Sequence, residues 1–516
     1  MKIVTAEQMR KIDQECNRLG IPVSTLMENA GKAVAEATRE YLGEIKKQHI
    51  VCLIGGGNNG GDGLAAALYL SGWGAKVSVY LCAERPNDDA NLNLIWETGI
   101  SYTEAKTDNN LKKLDSHLNA ATCVIDALLG TGKMRSLEGV FKQALEKVND
   151  TKRKRDLRII AVDLPSGMDA DTGAIDPVCP YADLTVTLAF PKAGLFNFPG
   201  AERAGKVVIA DIGIPKELAD SINIEFLDKE WAAETLPKRP PDANKGTFGK
   251  VLINAGSINY IGAARLAGNG ALRVGAGVVT VATAASLIPI IAAKVTEATY
   301  LPLPESGPGI ISAEAADIMQ KQFAQYDVLL VGCGLGQNPA TVEFLGSLLQ
   351  KKGLPQLVID ADGLNALSRI PNWWQKIPDN TILTPHPGEM VRLTGLTIDE
   401  VQADRIGIVT KFAQKWQKIT VLKGSFTVIA SADGKCRVSP FANPGLATGG
   451  TGDVMAGVIA GLAAQGLKPY EAASLGVYLH GAAGDKIRNE MGDAGTIASD
   501  LLPALPLTIK RLKNRG

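Results

Sequence analysis

The sequence predicts an α/β protein of two successive domains, each built on a mainly parallel sheet. Three observations lead there. Short β-branched runs alternate with helical stretches along the chain, as βαβ crossovers do. The alternation stops and restarts across "LPKRPPDANKG" at 236–246, which is rich in Pro and charge as linkers are. A chain of 516 residues also exceeds what one ordinary hydrophobic core spans. The boundary falls at about 215–240, giving domains over 1–220 and 225–516, and no sequence repeat relates them.

Composition narrows the class. Apolar residues make up 46% of the chain, and 54 basic residues cancel 54 acidic ones. This is a folded chain without the basic field or polybasic run that nucleic acid or a membrane surface would call for. The seven cysteines are an odd number without close pairs, set in apolar runs such as "IVCLI". They read as buried, reduced thiols of a cytoplasmic protein. The opening "MKIVTAEQMRKIDQE" has no apolar signal core, and no run is long enough for a membrane span.

Element by element, the first 40 residues read as helices, with Thr5 capping "AEQMRKIDQECNRL" and Gly20 ending it. Strands follow at "HIVCLIG", "AKVSVYLC", "TCVIDALLG", "RIIAVDLPSG", "DLTVTLAF" and "GKVVIADIG", with helices such as "GLAAALYLSGW" and "LEGVFKQALEKV" between them. The second series runs through "GKVLINAGS", "GVVTVAT", "DVLLVGCGLG", "QLVIDADGLNAL", "TILTPHPGEM", "ITVLKGSFTVIA" and "KCRVSP". It closes on "GDVMAGVIAGLAAQG" and "PYEAASLGVYLHGAAGDKIRNE", both helical.

Candidate chemistry sits at the strand ends, where open α/β sheets bind ligands. In "LIGGGNNGGDGLAAALYL", Gly55, Gly57 and Gly60 satisfy G-x-G-x-x-G, and Glu84 follows the next strand as in dinucleotide-binding folds. Asp62 argues against a standard redox turn, because a carboxylate at the helix start repels phosphate unless a cation or proton intervenes. Asn58 and Asn59 offer carbonyl oxygens to a cation and amide donors to an anion. Asp126 precedes Gly130, Thr131 and Gly132; Asp163 precedes Pro165, Ser166 and Gly167. Asn59, Asp126 and Ser166 together make a hard-oxygen set suited to a weakly held cation. Each Asp could equally be a helix cap. Lys192, in "FPKAGLF", reads as either a solvated surface group or a site residue.

In the second half, "NPGLATGGTGDVMAGVIAGLAAQG" puts Gly449, Gly450 and Gly452 before a long apolar helix, with Asp453 at its start. Consecutive glycines at a helix N-terminus aim backbone N–H groups at one point, and the helix dipole adds to their pull on an anion. Asp453 at that rim can accept a proton from a hydroxyl undergoing phosphoryl transfer. His386, between two prolines with Glu389 near, is either structural or functional. Lys423 and Gly424, followed by Ser425, Phe426 and Thr427, fit nucleotide phosphates or an ordinary hairpin.

The motifs "GGGNNGGDG", "DALLGTG", "VDLPSGMDADTG" and "FPKAG", with "MENAG" upstream, resemble the YjeF N-terminal family, the NAD(P)H-hydrate epimerases. The likeness spans about residues 1–215 and implies a Rossmann-like three-layer domain holding potassium through Asn59, Asp126 and Ser166. It implies a hydrated nicotinamide dinucleotide as substrate. Asn58, Asn59, Gly60, Gly61 and Asp62, with Gly130, Thr131, Gly132, Lys133, Met134, Arg135 and Ser136, would bind it. Asp163 would carry the acid/base step, and Lys192 joins it as a catalytic candidate. The motifs "NKGTFGKVLINAGS", "YIGAARLA", "GCGLG", "DADGLNAL", "LTPHPGEM" and "GGTGDVMAG" resemble the ribokinase-like superfamily. Within it they are closest to the YjeF C-terminal family, the ADP- or ATP-dependent NAD(P)H-hydrate dehydratases, over about 240–510. That likeness places the adenine nucleotide on Lys423 to Thr427 and on Gly450, Thr451 and Gly452. It places the hydrate on Ala263, Gly336, His386 and Asp453, and brings magnesium in with the nucleotide.

Both families on one chain imply a bifunctional repair enzyme acting on NADH and NADPH hydrates, a homo-oligomer with neither nucleic-acid nor membrane partners. The rival reading is a ribokinase-like small-molecule kinase fused to a non-catalytic nucleotide-binding domain. It would release a stable phosphate ester rather than reduced cofactor.

Overall fold

The computed structural model describes residues 1–132 and 136–514, so the expected contacts of Lys133, Met134 and Arg135 lie outside the described residues. The chain divides into two compact units, Lys2–Ile222 and Asn223–Gly516, with Met1 counted in the second.

In the first unit, helix Ala6–Arg18 is capped by Thr5, whose hydroxyl accepts from the Gln8 N–H while the Gln8 side chain bonds back to the Thr5 N–H. Seven strands follow: β1 (His49–Ile54), β2 (Lys76–Leu81), β3 (Ser101–Glu104), β4 (Cys123–Ala127), β5 (Arg158–Val162), β6 (Leu184–Leu188) and β7 (Lys206–Ala210). They form one sheet in the order β3-β2-β1-β4-β5-β6-β7, and every neighbouring pair is parallel. Ile50, Cys52 and Ile54 of β1 pack into one apolar layer, while Val51 and Leu53 pack into the other. That two-residue period, buried on both faces, makes the strand read as a continuous apolar run. The order turns back on itself between β1 and β4, which opens a crevice at the strands' carboxyl ends.

The second unit repeats this logic. Its strands are β8 (Ile224–Phe226), β9 (Lys250–Asn254), β10 (Val278–Ala284), β11 (Thr299–Leu303), β12 (Glu305–Gly307), β13 (Ile310–Ile311), β14 (Val328–Val331), β15 (Gln356–Ile359), β16 (Ile382–Leu383), β17 (Ile419–Leu422), β18 (Val428–Ala430) and β19 (Cys436–Val438). The main sheet runs β11-β10-β9-β14-β15-β16-β17-β18-β19-β8, and β12 and β13 form a separate hairpin. Pairing is parallel from β11 to β17, then antiparallel through β18 to β19. The turn-back point lies between β9 and β14. Helix Thr451–Ala464 is buried along nearly its whole length. It packs closely on helix Ile261–Arg273: a Cβ on Gly457 would lie 2.1 Å from the Ala267 carbonyl oxygen. Only glycine permits that backbone approach, and it fixes where the N-terminus of the buried helix points.

The sequence reading omits the outer strands β3 and β11, the hairpin strands β12 and β13, and β8. β3 and β11 are partly exposed edge strands, β3 without an apolar run and β11 carrying Pro302 inside it, and β8 has three half-buried residues. All seven cysteines are buried and free. Among the described residues, no helix is long and apolar enough to cross a membrane.

Candidate active sites

In the first unit, the loops after β1, β4, β5 and β6 border one cavity of about 590 Å³. Asn58, Asn59, Asp62, Gly130, Thr131, Gly132, Asp163 and Lys192 all line it. Gly60, Gly61 and Ser136 do not. Gly60 is needed for packing, since a Cβ there would sit 2.1 Å from the Gly55 carbonyl oxygen. The glycine turn leads into helix Asn58–Gly72 without a side-chain cap, so its first N–H groups are available to an anion.

Asp163 ends β5 with φ at +67°, a strained backbone for a residue with a side chain. Its Oδ1 accepts from Lys192 Nζ at 2.5 Å, the Leu188 N–H at 3.1 Å and Thr187 Oγ1 at 3.2 Å. Among the described residues no donor reaches Oδ2, so one oxygen is held and the other is not, in a residue that lines the cavity. Lys192 is only 1% exposed and also donates to the Leu188 carbonyl at 3.0 Å. The surface alternative for this lysine is thereby excluded. Two further carboxyls share the cavity. Burial pushes Asp62 well above the usual carboxylate range, and Asp163 and Asp13 add to the rise. Burial likewise raises Asp13, against the pull of Lys192.

Asn59, Asp126 and Ser166 are joined through Leu129. Asn59 Nδ2 donates to the Leu129 carbonyl at 3.0 Å, and the Leu129 N–H donates to Ser166 Oγ at 3.0 Å. Ser166 in turn donates from Oγ and N–H to the two Asp126 oxygens, at 2.6 and 2.8 Å. Asp126 is therefore not a helix cap. The donors are hard oxygens carrying one carboxylate, a set that fits a monovalent alkali cation better than a soft transition metal.

In the second unit, Asp360 follows β15 and Lys423 follows β17. Lys423 Nζ lies 2.5 Å from Asp360 Oδ1 and 3.6 Å from Glu389 Oε2, and Thr384 Oγ1 donates to the same Asp360 oxygen at 2.7 Å. Burial disfavours the ammonium, but Asp360 and Glu389 outweigh it and raise the Lys423 pKa. Asp453 stands beside this pair: ligand atoms of Cys333, Asp360 and Asp453 all lie within 4.8 Å of one another. Burial, followed by the Asp360 charge, pushes Asp453 up to about 7. A thiol and a carboxylate already paired with an ammonium do not make a magnesium site. Magnesium riding on nucleotide phosphates needs no such site.

Gly450, with φ at +91°, is the N-cap of helix Thr451–Ala464 and supplies no side-chain cap. Among the described residues the Gly452 and Asp453 N–H groups have no backbone acceptor, which leaves them free for an anion. A cavity of about 420 Å³ next to them is lined by His386, Lys423, Gly424, Ser425, Thr427, Thr451 and Gly452. Phe426, Ala263, Gly336, Gly450 and Asp453 do not line it. Ala263 packs under Gly334, whose Cβ would meet it at 2.6 Å, and the Gly336 N–H donates to Asp362 at 2.8 Å. His386 caps helix Pro387–Thr394 by accepting the Gly388 N–H at Nδ1 and donates its own N–H to the Glu389 carboxylate, so its structural role is real while it also lines the cavity. Burial next to Lys423 and Arg392 lowers its pKa.

The sequence reading missed Asp13, Asp360 and Arg85. Asp360 had a signal, an acid at the end of an apolar run in "QLVIDADG". Asp13 had none, being one polar position of an amphipathic helix. Arg85 donates to the Gly55 and Gly57 carbonyls at 2.6 and 3.0 Å, bracing the glycine turn.

Comparison with known proteins now bears on the whole chain. The NAD(P)H-hydrate dehydratase profile matches residues 251–507, and the profile of YjeF-related protein N-termini matches 23–194. The bifunctional NAD(P)H-hydrate repair enzyme Nnr of Moorella thermoacetica is 42% identical over 522 residues, covering 99% of this chain and 97% of that protein. This chain belongs to the bifunctional NAD(P)H-hydrate repair family. The family member from Thermofilum pendens is 36% identical, again over 99% of this chain and 97% of its own length. A crystal structure of the ADP/ATP-dependent NAD(P)H-hydrate dehydratase from Bacillus subtilis, co-crystallized with ATP and magnesium, is 35% identical. It covers 57% of this chain and 100% of that one, with a TM-score of 0.48.

Proposed function

We propose that the first unit interconverts the R and S hydrates of NADH and NADPH, and that the second dehydrates the S form using ADP or ATP. The observation that carries this reading is a pair of aspartates: Asp163, which lines the larger cavity of the first unit, and Asp453, at a helix N-terminus beside Asp360 and one residue on from Gly452, which lines the cavity of the second.

The hydrate bears a hydroxyl on the ring carbon beside nitrogen. In the first unit the nitrogen lone pair expels that hydroxyl, the C–O bond breaks, and a flat iminium remains. Water adds back from either face. The departing oxygen needs a proton and the incoming water must lose one, which is work for a positioned acid/base. Asp163, oriented through one oxygen by Lys192, Leu188 and Thr187, does this with the other. Asp62, raised toward the protonated state, is placed to donate in the same cavity. Asn59, Asp126 and Ser166 would hold a potassium ion, which supplies fixed positive charge among these carboxylates.

Hydroxide is a poor leaving group and phosphate a good one. In the second unit the ring hydroxyl attacks the terminal phosphorus of the nucleotide, and the bond to the nucleotide's bridging oxygen breaks. Asp453 takes the hydroxyl proton. The free amides of Gly452 and Asp453 stabilise the charge on the phosphoryl oxygens. The ring nitrogen then expels phosphate, and loss of a proton from the neighbouring carbon restores the ring double bond. The amide cradle and the cavity from His386 to Thr427 support placing the nucleotide here. We expect a cytoplasmic homo-oligomer.

The test is to supply both hydrate epimers, magnesium and either ADP or ATP. Reduced cofactor should be recovered from the whole mixture; a stable phosphate ester in its place would refute the dehydratase assignment.

A further inference from the structure

A second cavity of about 360 Å³ lies beyond β2, lined in part by Cys82, Ala83, Glu84, Arg85, Trp96 and Lys106. It is large enough for a nucleoside. Ala83 lines this cavity and the 590 Å³ one alike. A Cβ on Gly56 would lie 3.5 Å from Ala83 and 3.3 Å from the Glu84 carbonyl oxygen, so the glycine turn rests on the wall between them.

The sheet order orients what could cross that wall. Asp163 and Lys192 follow β5 and β6, on one side of β1; the smaller cavity follows β2, on the other. A dinucleotide laid over the turn between β1 and the next helix, with its reacting ring at Asp163, would put its far nucleoside beyond β2. The contents of the cavity suit one. Trp96 is 43% exposed and presents a ring to a purine base. Glu84 lies in the loop just after β2, where a carboxylate can accept from a ribose hydroxyl. Lys106 Nζ lies 3.3 Å from Glu84 and 3.1 Å from Glu104, yet the lysine is 59% exposed. Arg85 would be the natural phosphate ligand at this position. Its side chain is 5% exposed and is spent on Asp89 and on the carbonyls of the glycine turn. Lys106 is therefore the cation in this cavity able to meet an incoming phosphate.

We propose that this cavity takes the adenosine half of the hydrated dinucleotide, with Glu84 and Lys106 reading the ribose 2′ position. Glu84 accepts from the 2′-hydroxyl of NADH hydrate, and Lys106 pairs with the 2′-phosphate of NADPH hydrate. A carboxylate and an ammonium side by side, each displaceable from the other, let one site hold both substrates. This rests on the epimerase reading of the larger cavity.

The test uses the full-length protein without ADP or ATP, so that only epimerisation runs. Interconversion of each purified hydrate is followed chromatographically. Lys106→Glu should raise the ratio of KM for NADPH hydrate to KM for NADH hydrate about tenfold, as loss of a charge-assisted contact to phosphate would. Glu84→Lys should lower the same ratio, and Trp96→Ala should raise both KM values together. An unchanged ratio in both charge variants, with normal wild-type turnover, overturns the adenosine subsite alone. Absence of wild-type epimerisation of either hydrate overturns the reading beneath it as well.

Discussion

The two units share a device and use it differently. Each pairs an aspartate at a strand end with a lysine at 2.5 Å, Asp163 with Lys192 and Asp360 with Lys423. In the first unit the paired carboxylate is itself the one that faces the cavity. In the second the pair stands beside a third group: Lys423 is paired with Asp360, and desolvation, followed by the Asp360 charge, pushes the half-buried Asp453 up to about 7. On the proposed function the difference follows from the chemistry. Expelling and re-adding water calls for a carboxylate held in one orientation. Deprotonating a hydroxyl during phosphoryl transfer calls for a base poised near neutrality.

The sharpest way to break this comparison is to remove each acid in turn. Asp453→Asn should lower nucleotide-dependent dehydration by roughly 10²- to 10⁴-fold, the usual worth of a general base, and leave epimerisation running. Asp163→Asn should do the reverse. Equal loss of both activities in either variant would refute two separate sites.

A smaller effect separates the two ion pairs by stability. Lys192→Met strands a buried Asp163 and should cost about 3–5 kcal/mol in chemical denaturation. Adding Asp163→Asn should restore part of that stability without restoring epimerisation. If Lys192→Met is no less stable than the parent, the pair is not what holds Asp163.

The pH profile sharpens the contrast at still lower amplitude. On the proposed reading Asp453 acts as a base only when deprotonated, and burial with the Asp360 charge pushes it up to about 7. Dehydratase kcat/KM should therefore rise with pH up to about 7 and level off above it, falling about tenfold per pH unit on the acid side. Asp453→Asn should flatten that limb along with the rate.

The strand ends were legible because their signals are local. An apolar run followed by an acid and glycines announces itself within ten residues or so, and the loops at Asn58, Asp126 and Asp163 indeed open on one crevice. What joins distant stretches was not legible. Lys192 reaches Asp163 across 29 positions and Lys423 reaches Asp360 across 63, and no local pattern encodes either meeting. Asp13 was hidden for a related reason: on a helix one polar residue looks like any other until the sheet shows which face meets the cavity. The edge strand β3 escaped because, partly solvated, it lacks the apolar run that marks a central strand, and β11 because Pro302 interrupts its pattern.

The most direct measurement follows recovery of reduced cofactor from an equimolar mixture of R and S hydrates, with magnesium and ADP or ATP, in the Asp163→Asn protein. If Asp163 handles the proton in the first unit and Asp453 in the second, the S form is consumed at the parent's initial rate and recovery then stalls with the R form left over. Recovery from both forms at the parent's rate would contradict the account.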